Sequence, residues 1–388
     1  MMRRAVMEPI TETEATSEAA AIIRQGLRSP NIPPSTPTEM DAAALVAAAA
    51  RHRVLVLLGS MLRAAGSLDR WPRTFAEAFH QAERQATVVD WLRQVELDKV
   101  FDALAAAAIR TLTFKGAALA HLYYPAPQLR ARVDTDLLVS AHDIASLDRT
   151  LRALGYTQQQ ETSGLLVSYQ SHYDKQDRAG VFHAFDVHWK VSNRQAFADC
   201  FSFEELWERR IPVPALGVHA ATVSRVDALI LALVHRAAHH PGSRDLLWIY
   251  DLHLLAEGMT TEEVERLADL VNSRGYNSIA REGMTLATEC YGTRAAVTIM
   301  AALDDRPACG NAASAPDRGS SQTDLLRHDL GALQGWPARC RLVGEHLFPP
   351  PSYMRAKYGV HTNLLLPALY VWRVVAGAPK WLRRGKVP

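Results

Sequence analysis

Residues 132–139, Arg-Val-Asp-Thr-Asp-Leu-Leu-Val, combine an acidic pair with an apolar strand pattern, and they follow shortly after a Phe-Lys-Gly sequence at 114–116. In an extended strand, side chains two residues apart point to the same face, so Asp134 and Asp136 are expected to project together. Two neighbouring carboxylates repel each other unless a cation lies between them, and Mg²⁺ prefers carboxylate oxygens together with substrate phosphates. The stretch therefore predicts a strand that carries a divalent-metal site.

A strand, a turn and a short helix are predicted just before this stretch. Residues 109–114 have strand character, Gly116 breaks the pattern, and residues 117–122 favour a helix. Glycine lets a phosphate approach the backbone closely, and the start of the following helix offers unpaired N–H groups. Lys115 would add a positive charge for a phosphate.

A third acid, Asp186, lies in the mostly apolar residues 181–189. An isolated buried acid is costly unless it is paired or binds a cation, so Asp186 is a candidate third metal ligand and proton acceptor. His188 would share its face, either as an accessory site residue or as a hydrogen-bonded core histidine. Arg130 and Arg132 precede the acid pair and are expected to neutralise charge on a leaving pyrophosphate.

A structural explanation competes with each of these hypotheses. An Asp-x-Asp pair alone is common on exposed strand ends, whereas the full succession of lysine turn, acid pair and later acid is much more specific. His235 and His239, four residues apart, could form a metal pair. The glutamate of the zincin motif is missing between them, which favours a structural or phosphate-facing role.

Composition indicates an ordinary globular protein. The chain has 388 residues, 48% of them hydrophobic, and a net charge of +2, which gives no argument for nucleic acid as a partner. No apolar segment precedes the acidic N-terminal residues, and the run at 364–376 is too short to span a bilayer, for which ~20 residues are needed. We expect that run to form a buried helix, with membrane-surface contact as the alternative. Four cysteines without metal-site spacing predict reduced thiols in the cytoplasm: Cys200, Cys290, Cys309 and Cys340.

Periodicity and composition predict an α+β fold, in which a small mixed sheet is flanked by N-terminal and C-terminal helical regions. The strands include a hairpin formed by 165–169 and 181–189, and the clearest later helices are 226–240, 246–256 and 261–273. The predicted regions are a disordered segment at 1–38, a helical region at 39–108, the α/β core at 109–200, a second helical region at 201–303, a flexible loop at 304–323, and a helical region with a basic tail at 324–388.

The chain also resembles a known family. The motifs that carry the resemblance are residues 114–119, Tyr123-Tyr124-Pro125, Arg130, residues 134–139 and 185–189, His235 to His239, residues 248–252 and the late Leu-Phe-Pro-Pro-Pro-Ser-Tyr at 347–353. On these residues the chain is similar to the bacterial family of uncharacterised nucleotidyltransferases in the polymerase-β-like superfamily, over most of residues 40–375.

The resemblance implies transfer of a nucleoside monophosphate from an NTP to a hydroxyl or phosphate acceptor, with two Mg²⁺ ions as cofactors. Asp134 and Asp136 fall on its metal-binding pair, Asp186 on its third acid, and Gly116 on its phosphate-binding turn. The superfamily usually has Gly-Ser or Gly-Gly at that turn, whereas this chain has Ala117 as the second residue. Lys115 and backbone N–H groups are then left to hold the triphosphate.

The acceptor is not determined by the sequence. The resemblance suggests a peptide or a sugar-linked acceptor, in peptide natural-product or polysaccharide biosynthesis. Two alternatives remain open, namely a non-catalytic scaffold that binds nucleotide or peptide, and a toxin-like enzyme that modifies RNA or protein. Fold-level analogy alone cannot choose among them.

Overall fold

The computed structural model of the protein describes residues 18–31, 41–159, 164–305, 321–360 and 362–382, with side chains for all of these except 322 and 377–382. Most of the predicted flexible loop at 304–323 lies outside the described residues. The same is true of much of the predicted disordered segment at 1–38.

A helix, α1 (Glu18–Arg28), lies inside that predicted disordered segment and corrects the prediction there. Its Ile23 and Leu27 are buried, with exposed fractions of 0% and 2%. Side chains four residues apart share one face of a helix, so this short apolar stripe is enough to dock α1 against the next helix, α2 (Ala42–Arg51). The prediction failed because few large apolar residues mark the segment.

Two more helices, α3 (Leu55–Ala64) and α4 (Arg73–Ala106), follow within the predicted helical region at 39–108. They approach each other closely at a glycine. A Cβ atom placed on Gly59 of α3 would come within 2.1 Å of the Phe79 ring of α4. Glycine is therefore required by this helix contact.

In the part of the chain that the structure describes, seven strands form one mixed sheet with the spatial order β3-β4-β5-β2-β1-β7-β6. They are β1 (Thr111–Phe114), β2 (Thr135–Val139), β3 (Thr157–Gln158), β4 (Gln170–Gln176), β5 (Phe182–His188), β6 (Ile211–Pro212) and β7 (Ala221–Thr222). The helices between them are α5 (Gly116–Leu122), α6 (Ile144–Ala153), α7 (Gln195–Ala198) and α8 (Phe203–Glu208). Central strand β2 is antiparallel to β1 and parallel to β5. A mixed sheet between helical regions confirms the predicted α+β class.

The side chains of β2 alternate between two hydrophobic cores. Leu137 and Val139 belong to a core shared with α4 and α6, whereas Leu138 belongs to the larger core of the other helices. Because alternate residues of a strand share a face, Asp136 lies on the same side as Leu138. The charged Asp136 is thereby directed towards the side of the sheet that the larger core covers.

Two strand predictions are corrected. The predicted strand at 165–169 is irregular, and the partner of β5 in the hairpin is β4, which starts at Gln170. The polar sequence of β4 hides its alternation, although Ser171 and Tyr173 are buried. The sheet also extends past residue 200, because β7 pairs with β1 through Thr113 and Thr222.

The helices after the sheet are α9 (Arg225–His239), α10 (Leu246–Glu257), α11 (Thr261–Ser273), α12 (Asn277–Tyr291) and α13 (Ala295–Asp304). The first three confirm the predicted helices at 226–240, 246–256 and 261–273. At the start of α11, the Glu263 backbone N–H donates to the Thr260 hydroxyl, and the Thr260 N–H donates to the Glu263 carboxylate. This reciprocal cap satisfies two N–H groups that the helix leaves unpaired.

The C-terminal helices are α14 (Gln322–Ala332), α15 (Trp336–Leu347), α16 (Pro351–Tyr358) and α17 (Leu366–Leu382). Carboxylates on α14 and α15 form hydrogen bonds to earlier parts of the chain. Asp329 accepts hydrogen bonds from Arg194 Nη1 at 3.0 Å and from the Gln195 N–H at 2.9 Å. Glu345 accepts one from the Leu166 N–H at 2.6 Å.

The predicted burial of the apolar run at 364–376 is wrong. Most of this run forms α17, but Val371 and Trp372 are 65% and 60% exposed. Only one side of the helix packs, through Leu366 and through the Tyr370 hydroxyl, which donates to the Pro349 carbonyl at 2.6 Å. Within the described ranges, no single helix is long and apolar enough to cross a bilayer. The helices α2 and α3 taken together have sufficient length and apolarity, but they are bent by 115° relative to each other.

Candidate active site

The turn between β1 and α5 brings a lysine to the centre of the sheet. Lys115 has φ of 56° and ψ of −133°, a conformation that residues with a side chain rarely adopt. Its Nζ atom lies 2.8 Å from Asp136 Oδ1 on the neighbouring strand. Such backbone strain costs ~1–3 kcal/mol and persists where the surrounding structure or the function requires it.

Two carboxylates lie side by side on this face. Asp136 and Asp186 are register partners on the parallel strands β2 and β5, so both point to the same side of the sheet. Together with His188 they form a group whose ligand atoms all lie within 4.8 Å of one another. Carboxylates this close repel each other, and a divalent cation held by the group would remove the repulsion.

Two histidines orient the carboxylates. His188 Nε2 lies 3.0 Å from Asp136 Oδ1, and His172 Nδ1 lies 2.5 Å from Asp186 Oδ1. Burial and the Lys115 charge lower the pKa of His188, against the opposing effect of Asp136. A neutral His188 therefore donates its Nε2–H to the carboxylate.

Asp136 is ionised at neutral pH. Burial raises its pKa, but the charge of Lys115 and the hydrogen bond from His188 outweigh burial and hold the pKa well below its usual range. A metal ligand must be deprotonated, so Asp136 is in the state that binds a cation.

A cavity of about 640 Å³ opens over these residues. Its lining includes Lys115, Asp136 and Asp186, together with His235 and Trp248. Sites for small ligands and cofactors usually enclose about 300–1,000 Å³, so this cavity has the size of such a site.

Aromatic rings form another part of the cavity lining, where the Arg53 guanidinium lies 4.7 Å from the Trp248 ring centroid. The His240 and Trp248 ring centroids are 4.2 Å apart, and those of His235 and His239 are 5.4 Å apart. Burial lowers the pKa of His240 to about 4. Burial and the Lys115 charge hold the pKa values of His235 and His239 well below their usual range. Neutral rings can stack on a substrate or hydrogen-bond to it without adding charge.

Asp134, predicted to pair with Asp136 on the metal, lines the same cavity but is not part of the group of close ligand atoms. Strand β2 begins at Thr135, so Asp134 precedes the regular alternation on which the prediction relied. Asp134 interacts electrostatically with Arg93. Burial is the main cause that lowers the pKa of Arg93, and the negative charge of Asp134 acts in the opposite direction. The acid that joins Asp136 in the group is Asp186.

Arg130 and Arg132, predicted to contact the nucleotide, line the cavity but are each paired with an acid. Arg130 Nη2 lies 2.7 Å from Asp251 Oδ2, with side chains only 6% and 5% exposed. Arg132 Nη2 lies 2.5 Å from Asp90 Oδ1. Their positive charge is therefore largely compensated by the protein itself.

Gly116 also lines the cavity, whereas Ala117 is buried with 1% exposure. The backbone of Gly116 does not have positive φ. A Cβ atom added to Gly116 would make only ordinary contacts, the nearest at 3.4 Å to Arg130 Nη1. Neither backbone conformation nor packing therefore requires glycine at this position.

Two contacts that organise the site were not predicted from the sequence. His172 meets Asp186 because β4 and β5 align them in register, but the predicted strand ended before His172. Asp251 accepts hydrogen bonds from Tyr124 Oη at 2.8 Å and from Arg130, which is 121 residues away in the chain. No local pattern signals a contact over that separation.

A mixed sheet that presents paired carboxylates and a lysine to one cavity is typical of an enzyme that transfers phosphorus-containing groups. Residues 38–292 match the model of a protein family described as uncharacterised nucleotidyltransferase, which is roughly two thirds of the chain. The chain belongs to this family and is therefore a nucleotidyltransferase, for which a nucleoside triphosphate is the substrate that the family implies. No curated protein matches the chain.

Two substitutions of Lys115 are expected to distinguish the effect of its charge on NTP affinity from the effect of its backbone strain on stability. Lys115→Gly and Lys115→Met should both weaken triphosphate binding about tenfold or more, because each removes a charged hydrogen-bond donor worth ~1.5–3 kcal/mol. Glycine adopts positive φ without strain, so the glycine variant should be more stable than the methionine variant by ~1–3 kcal/mol. Calorimetric NTP titration and urea unfolding measure the two effects. Unchanged NTP affinity in both variants would show that Lys115 does not bind the triphosphate.

Proposed function

We propose that the protein is a Mg²⁺-dependent enzyme of the polymerase-β-like superfamily, which transfers a nucleoside monophosphate from an NTP to a hydroxyl or phosphate acceptor. One observation carries the proposal: Asp136 and Asp186 are register partners in the lining of a cavity, with Lys115 beside them. A binding module has no need of carboxylates that repel each other. A metal-assisted transferase needs them.

The residues present fit a divalent cation. Asp136 and Asp186 offer the hard oxygen ligands that Mg²⁺ prefers, and His188 holds Asp136 in position. Asp134, at the same cavity, is the proposed ligand of a second ion. Bound Mg²⁺ would stabilise the charge that develops on the phosphates.

The triphosphate is assigned to the turn before α5. Lys115 supplies positive charge and Gly116 allows close approach, whereas the buried Ala117 supports the first turn of the helix from behind the cavity lining. Arg130 and Arg132 shape the neighbouring wall, because each is already held by an acid. In this proposal the two arginines fix the structure of the cavity lining and do not bind the phosphates directly.

The acceptor oxygen attacks the α-phosphorus in line. A new P–O bond forms, the bond to pyrophosphate breaks, and the acceptor hydroxyl loses its proton. Asp186 accepts that proton, and His172 fixes the orientation of its carboxylate through the hydrogen bond at 2.5 Å.

The aromatic part of the cavity lining is assigned to binding of the acceptor; it consists of His235, His239, His240 and Trp248. A peptide or sugar-linked acceptor is the proposal that follows from the resemblance, with a role in peptide natural-product or polysaccharide biosynthesis. The cytoplasm is the proposed location, because NTPs are available there and because Cys200, Cys290 and Cys340 are free thiols.

The proposal is tested with purified full-length protein, each labelled NTP, Mg²⁺ and a bacterial lysate as the source of acceptors. We expect pyrophosphate release and labelled product that depend on metal. Asp186→Asn should lower the product about a hundredfold, as expected for the loss of one electrostatic group in a transferase site. Asp199→Asn, at a residue whose side chain is 77% exposed, is the matched control. Equal product from the Asp186 variant, or product in the presence of EDTA, would refute the assignment.

A further inference from the structure

Six apolar side chains near the C-terminus face solvent, and we refer to them as the C-terminal apolar face: Leu364, Leu365, Val371, Trp372, Val374 and Val375. Their exposed fractions range from 43% to 88%. The last four lie on α17. Scattered exposed apolar residues are normal, but a contiguous group of this kind marks an interaction surface.

The opposite side of α17 is anchored to the protein. Tyr370 Oη donates to the Pro349 carbonyl at 2.6 Å, and Arg373 Nη2 donates to the His346 carbonyl at 3.3 Å. The Phe348 and Tyr370 rings lie 5.9 Å apart. These contacts fix which side of α17 packs inward and present the C-terminal apolar face outward.

The sequence around this face is strongly basic. Residues 346–388 contain no Asp or Glu and seven basic residues, namely Arg355, Lys357, Arg373, Lys380, Arg383, Arg384 and Lys386. The whole chain has a net charge of only +2, so positive charge is concentrated in this C-terminal part of the sequence. Tryptophans at 372 and 381 add the residue type that favours the boundary between lipid and water.

We propose that the C-terminal apolar face, with its basic sequence, binds the surface of an anionic lipid bilayer. Apolar side chains inserted at the headgroup boundary and basic residues attracted to anionic lipid are the two contributions that hold a surface helix on a membrane. The 17 residues of α17 include Pro367, Arg373 and Lys380, so the helix lies on the surface and does not cross it. A second copy of this chain is a poorer occupant, because dimerisation would bring two basic segments together.

The test is co-sedimentation of the full chain with vesicles of phosphatidylcholine and phosphatidylglycerol, compared with phosphatidylcholine alone. We expect binding to the anionic vesicles that weakens as salt rises. The triple variant Arg383→Ala, Arg384→Ala, Lys386→Ala should bind more weakly by about fivefold per charge removed. Trp372→Glu should abolish sedimentation, whereas Val297→Glu, at a side chain 69% exposed on α13, should not.

Three results would overturn the proposal. The first is no binding of the full chain to anionic vesicles at low salt, and the second is equal loss of binding in the Val297 control. The third is a dimer in light scattering that Trp372→Glu converts to monomer without any vesicle binding, which would assign the face to a second copy. Circular dichroism of each variant establishes that the fold is retained.

Discussion

Replacing Asp136 by asparagine is expected to lower nucleotidyl transfer about a thousandfold, because the proposed metal site would lose several kcal/mol of charge stabilisation and each 1.36 kcal/mol is a factor of ten. Asparagine keeps the shape of the side chain and can still accept the hydrogen bond from His188. The substitution removes the negative charge of Asp136, which lies next to Lys115 and His188. Steady-state pyrophosphate release measures the loss.

The matched control is Asp102→Asn. That side chain is 61% exposed, and its Oδ1 lies 3.9 Å from His219 Nε2. It should retain full activity, and a melting curve for each variant would show that both are folded. A loss of less than about tenfold in Asp136→Asn, equivalent to 1.4 kcal/mol, would exclude the proposed role of this carboxylate.

Replacing Arg130 by methionine is expected to lower the free energy of unfolding by ~3–5 kcal/mol, the cost of removing one partner of a buried ion pair. Asp251 would then keep only the Tyr124 hydroxyl as a hydrogen-bond donor, although its side chain is 5% exposed. Total stabilities of ~5–15 kcal/mol make this a large fraction of the whole. Urea unfolding at neutral pH measures the change.

Two further variants make this prediction specific. Adding Asp251→Asn to Arg130→Met removes the unpaired buried charge and should recover most of the lost stability. Arg73→Met removes an exposed pair with Glu77, whose side chains are 85% and 61% exposed, and should change stability by less than ~0.5 kcal/mol. If Arg130→Met weakened NTP binding while leaving stability unchanged, Arg130 would be a nucleotide ligand after all.

Features that depend on local pattern could be predicted from the sequence. The period-two alternation around Asp136 identified β2, and helical periodicity identified the helix at 261–273, which matches α11. Asp186 stood out as one acid in an apolar strand, and the structure places it beside Asp136. Local sequence therefore gave the central strands and the two acids of the ligand group.

Features that depend on distant pairing could not be predicted. The orientation of Asp186 by His172 follows from the β4–β5 register, which a shift of one residue would reverse. The pairing of Arg130 with Asp251 joins the segment before β2 to helix α10, 121 residues away in the chain. The exposure of Trp372 was also not predictable, since an apolar run has the same sequence whether it packs inward or outward.

The most direct measurement is anomalous diffraction at a wavelength sensitive to manganese, from crystals grown with Mn²⁺ and a non-hydrolysable NTP analogue. We expect an anomalous peak within coordinating distance of both Asp136 and Asp186, with the phosphates next to Lys115. Nucleotide bound in the cavity without such a peak, or with the metal held elsewhere, would contradict the proposed active site.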